Sequence, residues 1–309
     1  MIHTKKTKAP MTGWHRKEWK NVLVGYAFIL PVIIGLVVFT VVPFFYSLYL
    51  AFTDYNGLKA PEWVGLQNFK TMFLEDDKFW LSFRITFKFA VIQVPLKLIF
   101  ALLVAMLLAR KAKGIGVYRV AFYIPSVLGG SVAVAMTWKI LWGNNGPVNG
   151  LLNVLGFESI NFLKDTRLAL YVLILLGVWQ FGASMLIFLA GIKDIPEMYY
   201  EAALMDGANS FQRFFKITLP LLTPCIFFNL INGIIGSLQA FNSAYLITDG
   251  GPLNSTLYYG LNLYRQAFEY SKFGYASAMA WFMLLIIAVL TALVFRSSSG
   301  WVFYQSEQD

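Results

Sequence analysis

The segment Glu201-Ala202-Ala203-Leu204-Met205-Asp206-Gly207-Ala208 is followed, nine residues past Gly207, by Ile217-Thr218-Leu219-Pro220. Pro196 stands where a helix can begin, and Glu201 to Met205 are good helix formers. Gly207 supplies a break or turn. The spacing predicts a second short helical piece over Phe211 to Lys216 that ends before Pro220. Residues 191–220 therefore read as two short helices with a polar, exposed Glu201. Read on composition alone, they form either a docking surface or an ordinary interfacial loop. Apolar runs flank the segment on both sides.

Outward from this segment the chain is mostly apolar. Hydrophobic residues make up 58% of the 309, and charged residues only 13%. A soluble domain carries roughly 25% charged residues. So few charges cannot cover a surface against water, whereas lipid needs no such cover. A bilayer core takes about 20 apolar residues of helix. Six stretches qualify: Val22 to Leu50, the apolar part of Phe83 to Ala109, Val120 to Trp142, Leu168 to Ala190, Leu221 to Ile247, and Tyr275 to Phe295. The first is too long for a signal peptide and lacks a small-residue cleavage site, so it reads as a retained span. The fold expected is an all-α integral membrane protein with six transmembrane helices. Its parts are an N-terminal tail 1–21, a first helix 22–50, a five-helix core 81–295 and a C-terminal tail 296–309.

The distribution of basic residues sets the orientation. If the N-terminus is cytoplasmic, segments 1–21, 109–119, 191–220 and 296–309 face inward. They hold 14 Lys and Arg residues, including Lys5, Lys6, Lys8, Arg16, Lys17 and Lys20, against 7 in the outer segments. Both termini are therefore expected inside, and residues 191–220 with them. The net charge of +9 lies in these short segments and forms no stripe for nucleic acid. In the outer segment 51–80, Trp63, Phe69, Phe73, Phe79 and Trp80 are expected at the membrane surface.

The spaced pattern Glu-Ala-Ala, three residues, Gly, nine residues, Ile-x-Leu-Pro resembles the EAA loop of permease subunits in bacterial ABC importers, and every fixed position is met. Thr248-Asp249-Gly250-Gly251-Pro252 and Trp63-Val64-Gly65-Leu66-Gln67-Asn68-Phe69 resemble segments of the sugar-permease branch, and Gly146-Pro147-Val148-Asn149 is a weaker match. The resemblance, across nearly the whole chain, is to the maltose-type family of oligosaccharide permeases in their compact six-span form. It implies the type I importer permease fold in a bacterial cytoplasmic membrane. It also implies these partners: a second related permease subunit, two copies of a cytoplasmic ATPase that hold ATP and Mg, and an external sugar-binding protein that delivers an oligosaccharide. Glu201, Ala202, Ala203, Asp206, Gly207 and Ala208 would then couple the spans to the ATPase.

No catalytic constellation competes with this reading. The chain has no Gly-x-x-x-x-Gly-Lys-Ser/Thr loop, and Gly114-Ile115-Gly116 lacks the third glycine of a dinucleotide fingerprint. His3 and His15 sit in the N-terminal tail, and Cys225 is the single cysteine. No metal or nucleophile set results, so the chain is expected to carry no cofactor and not to be an enzyme.

The fifth span is two-faced. At about 100° per residue, Asn232, Gly233, Gly236, Ser237, Gln239, Ala240 and Ser243 share a side with Asn229. Polar groups are costly against lipid, so this side is expected to look inward, although small residues also serve tight helix packing. On the fourth span Trp179 and Gln180 fall near mid-membrane, with Ala183 one turn on. Maltose-type permeases hold sugar on the inward faces of these two spans. The resemblance thus points to Trp179, Gln180, Ala183, Asn232, Gly233, Gly236, Ser237, Gln239 and Ala240 as substrate-facing. Lys88 and Lys97 stay open: each either attracts an acidic sugar or snorkels to an interface. A permease for phosphate, amino acids or polyamine shares the EAA loop. A secondary carrier would need intramembrane acids, which the span cores lack.

Overall fold

The computed structural model describes residues 14–110 and 113–303. The expected basic tail through residue 13, Lys111, and the C-terminal end from residue 304 lie outside the described residues. Helix α1 (Trp14–Leu36) passes through a π-helical stretch, Val37–Val41, into α2 (Val42–Leu50). From Val24 to Val41 no residue is buried. A helix apolar on every side and covered by nothing in its own chain suits lipid or a partner subunit.

Two short antiparallel strands, β1 (Thr53–Asp54) and β2 (Glu62–Trp63), pair Thr53 with Trp63. Asn68 opens helix α3 (Gln67–Leu74), and its side-chain amide donates to Ala51 O and Thr53 O, both at 2.9 Å. Helix α4 (Asp77–Ala109) is capped by Asp76, whose carboxylate accepts from Lys78 and Phe79 N–H groups. Then follow α5 (Ile115–Leu128), α6 (Val132–Leu141), α7 (Pro147–Val154), α8 (Ala169–Trp179) and α9 (Gly182–Asp194). Helices α10 (Glu197–Met205) and α11 (Ser210–Arg213) lead through a π-helical stretch into α12 (Leu219–Leu221). Helices α13 (Thr223–Leu238), α14 (Tyr259–Tyr264) and α15 (Phe273–Ser298) complete the chain.

Helix α4 is the centre of the bundle and packs against α8, α9, α13 and α14. Tyr259 N–H donates to Thr86 Oγ1 at 2.7 Å, and Tyr259 Oη donates to Met279 O at 2.8 Å. Those two bonds tie α14 between α4 and α15. Phe79 is wholly buried against Phe73, Trp80, Tyr259 and Phe282. It belongs to the core rather than to the membrane surface expected for it. Phe79 shares one face of α4 with the buried Ser82, Thr86, Phe89 and Ala90, and a reading of the outer segment as loop could not see that face.

Three helices are long and apolar enough to cross a membrane singly: Val24–Leu50, Asp77–Ala109 and Phe273–Ser298. The other three spans are bent pairs, so six is reached only when each pair counts as one. Helices α5 and α6 meet at 100°, and α8 and α9 at 42°. The run Ser210–Leu221 meets α13 at 63°. The third, fourth and fifth spans read from hydropathy are thus each bent, a feature hydropathy does not register. The fifth is also interrupted: α13 ends at Leu238, the backbone leaves the helix over 239–241, and helical turns resume from Asn242 to Thr248.

The first two breaks are stitched together by polar groups. Gln180 Nε2 donates to Gly129 O at 3.1 Å. Ser126 Oγ donates to Gln180 O and accepts from Ala183 N–H, each at 3.0 Å. Backbone groups freed by each kink are therefore satisfied by the neighbouring kink, as an apolar surround demands. Close approach makes this possible. A Cβ on Gly182 would lie 2.5 Å from Phe122 O and 2.8 Å from Tyr123 Cα. Those are backbone atoms that cannot swing aside. Gly182→Val is expected to lower the melting temperature of the detergent-purified protein, since overpacking costs about 1–3 kcal/mol. Gly236→Ala, whose Cβ meets nothing within 4 Å, is the matched control. An unchanged melting temperature for Gly182→Val would contradict the packing described.

Candidate functional site

Three chain breaks converge on one cavity of about 480 Å³. Helix α4 contributes Phe89, Gln93 and Lys97. The α5–α6 break contributes Gly129, Gly130 and Ser131. The α8–α9 side contributes Leu173, Leu176, Gly177 and Gln180. The last turns of α13 and the chain after it contribute Asn232, Gly233, Gly236, Ser237, Gln239, Ala240, Phe241, Asn242 and Ser243. Irregular backbone at membrane depth is tolerated where it lines such a space. The volume lies within the about 300–1,000 Å³ of small-molecule pockets.

The expected substrate-facing positions divide here. Gln180, Asn232, Gly233, Gly236, Ser237, Gln239 and Ala240 line the cavity, whereas Trp179 and Ala183 do not. Trp179 instead packs on Trp138 with ring centroids 5.8 Å apart, and Ala183 N–H is spent on Ser126. The kink at Gln180 changes the helical phase, so positions beside it point elsewhere. Residues 239–243 reach the cavity across an interruption at 239–241, after which helical turns resume at Asn242. The aromatic faces in the cavity come from Phe89 and Phe241 rather than Trp179. The former continues with Gln93 and Lys97 at four-residue spacing along α4, a signal present in the sequence.

The glycines of α13 have different duties. A Cβ on Gly233 would meet Val94 Cγ1 at 2.9 Å, so Gly233 lets α13 close on α4. Gly236 faces open space. Asn229 is buried and donates to Cys225 O at 2.9 Å, while Asn232 donates to Phe228 O at 2.8 Å. Both amides keep acceptor capacity after these bonds.

At the far end of the bundle's connections stand α10 and α11. Gly207 has φ +77, the left-handed conformation that closes a helix. Gly207 N–H donates to Leu204 O at 3.0 Å and Ala208 N–H to Ala203 O at 2.8 Å. Asn209 and Gln212 then form a reciprocal capping box on α11. Tyr200 and Thr218 hydroxyls are 2.9 Å apart, fastening α10 to the run that enters α13. Glu201, Ala202, Asp206 and Gly207 are exposed, while Ala203 and Ala208 are half-buried. Among the described residues Glu201 has no hydrogen-bond or ion-pair partner. Met205 is 90% exposed and Phe211 71%, an apolar surface beside that free acid.

The Thr248–Pro252 segment is a locked turn away from the cavity. Thr248 Oγ1 and Thr256 Oγ1 are 2.7 Å apart, Thr256 Oγ1 donates to Gly251 O, and Arg265 Nη2 donates to Asp249 Oδ1 at 2.7 Å.

A bundle of broken spans around a polar cavity, with a short two-helix platform joined to one of those spans, defines a transport permease. The chain belongs to the family of binding-protein-dependent transport system inner membrane components, whose model matches residues 91–299. It is 53% identical to the probable ABC transporter permease protein YesP of Bacillus subtilis, over 94% of this chain and 95% of that one. It is 33% identical to the trehalose/maltose transport system permease protein MalF of Thermococcus litoralis, over 89% and 92%. Its fold matches a chain of the bacterial alginate ABC transporter, solved in complex with an alginate pentasaccharide-bound periplasmic protein. That match has a TM-score of 0.78 and 22% identity, covering 91% of this chain and 96% of that one. As a permease of this family the chain is embedded in the membrane and is not itself an enzyme.

Proposed function

We propose that this chain is one of two related permease subunits that together enclose a pathway importing a sugar or oligosaccharide across the bacterial cytoplasmic membrane. The cavity carries the reading. It sets amides and hydroxyls (Gln93, Gln180, Asn232, Ser237, Gln239) beside the flat rings of Phe89 and Phe241. Sugars need both, polar partners for their hydroxyls and an aromatic face for their C–H side. Relatives named for trehalose/maltose and lactose transport support the substrate class.

In this reading α10 and the following turn dock on a cytoplasmic ATPase, present in two copies that hold ATP and Mg. Glu201 pairs with basic groups there. Ala202, Ala203 and Ala208 allow close approach, and Asp206 and Gly207 shape the exit. Because Tyr200 fastens α10 to the entry of α13, a movement of the ATPase reaches the cavity wall through one continuous run. ATP binding and hydrolysis then bias a two-state membrane element. An external sugar-binding protein supplies the cargo.

The test is ATP hydrolysis by the chain reconstituted in liposomes with its partner permease, ATPase and binding protein. A glycan presented by the binding protein is expected to raise hydrolysis, and Glu201→Lys is expected to remove most of that rise. Stimulation by an amino acid or phosphate but by no glycan would overturn the sugar reading.

A further inference from the structure

Lys97 lies about 18 Å along α4 from Ala109 and about 30 Å from Asp77, at 1.5 Å per residue. Lys97 thus stands in the middle part of α4, where its four-carbon stem reaches neither end of the helix. It shares a face with Gln93 and Phe89, four and eight residues earlier, and all three line the cavity. Lys88, nine residues away and so about half a turn round the helix, stands outside the cavity with its ammonium 5.4 Å from the Tyr171 ring centroid. The structure thus separates two lysines whose contact with substrate the sequence left open, Lys97 already lying nearer the middle of its span.

Among the described residues the lining contains no Asp or Glu. Among the described residues Lys97 has neither a hydrogen bond nor an ion pair. A cation kept at membrane depth is costly and belongs to a functional site by default. Among the described residues no carboxylate lines the cavity to balance it, which leaves that place to a group entering the pathway. Around Lys97 the amides of Gln93, Gln180 and Asn232 can bind the oxygens of a sugar acid as readily as those of a neutral sugar.

We propose that the cargo is an acidic glycan and that Lys97 receives the carboxylate of a uronate residue in the cavity. This rests on the sugar-import reading and narrows it to a substrate class. The ion pair forms only while the glycan is in the pathway. It offsets the cost of the half-buried ammonium during passage and releases the cargo when the cavity reopens to water.

The experiment uses the full assembly in liposomes. Hydrolysis is measured against concentration for three kinds of glycan: trimers of galacturonate, glucuronate or mannuronate, the methyl esters of the same trimers, and maltotriose and xylotriose as neutral probes. A uronate trimer is expected to stimulate and its methyl ester to lose most of the effect. Lys97→Gln is expected to weaken the apparent affinity for the uronate by about 10-fold to about 100-fold, narrowing the gap to the ester. Lys97→Arg is expected to restore the preference, which a merely structural lysine would not require. Stimulation by neutral trimers with no uronate preference, or a preference that Lys97→Gln leaves intact, would overturn the assignment while sugar import stood. If no glycan stimulates, the import reading fails and takes the assignment with it.

Discussion

Gly236→Phe is expected to reduce glycan uptake by about 100-fold or more while the subunit still assembles with its partners. A Cβ at Gly236 meets nothing within 4 Å, and the residue opens directly onto the cavity. The first added carbon there displaces no protein atom, and the phenyl ring it carries occupies the space the cargo needs. Losing about 3 kcal/mol of binding suffices for such an effect. Gly233→Phe is a contrasting case, because its first added carbon already meets Val94 at 2.9 Å. That variant is expected to fail in assembly instead. Uptake assays combined with co-purification of the partner subunits separate the two. Full uptake by Gly236→Phe would mean that cargo does not pass this wall.

The second large effect belongs to Gly207→Val. With φ +77 at this position, a β-branched side chain costs about 1–3 kcal/mol in the native conformation. The cheapest relief is to unwind the turn and give up the Gly207 and Ala208 bonds that close α10. Asn209 and its capping box would then be carried off line, and α10 would lose its angle to the run that reaches α13. Glycan-stimulated hydrolysis is expected to fall at least about tenfold, with uptake falling alongside it. Stimulation equal to wild type would show that the turn's geometry does not carry the coupling.

How much of this was legible before the structure depends on what each sequence signal measures. Hydropathy counts apolar length, and it found the six spans. It is blind to direction, so the 100° bend at Gly129-Gly130-Ser131 passed as continuous helix, although two glycines and a serine in an apolar run are a break signal. The kink at Gln180 has no such signal at that residue. It exists because Gly182 lets α9 approach Phe122 and Tyr123 and because Ser126 and Gln180 satisfy the freed backbone. Those are tertiary facts. The two-faced pattern of the fifth span held as far as Leu238 and located Asn232, Gly236 and Ser237 on the cavity side. Trp179 was expected there from its depth, its aromatic face and the resemblance, whereas in the structure it lies outside the cavity lining and packs on Trp138. The first short helix and its left-handed exit at Gly207 were legible, because helix formers and a turn glycine are local signals. The stop expected before Pro220 was not, since the helical run continues from Ser210 through Pro220 to Leu221 and places the proline near the start of its last segment.

The most direct test of the central claim is uptake of labelled glycan into liposomes carrying the complete assembly, with ATP on the ATPase side. Accumulation that needs ATP and the binding protein, and that Gly236→Phe abolishes in an assembled complex, is the expected result. Assembled complexes that hydrolyse ATP but move no glycan, or that move it equally well with Gly236→Phe, would contradict the claim that sugar passes through this cavity.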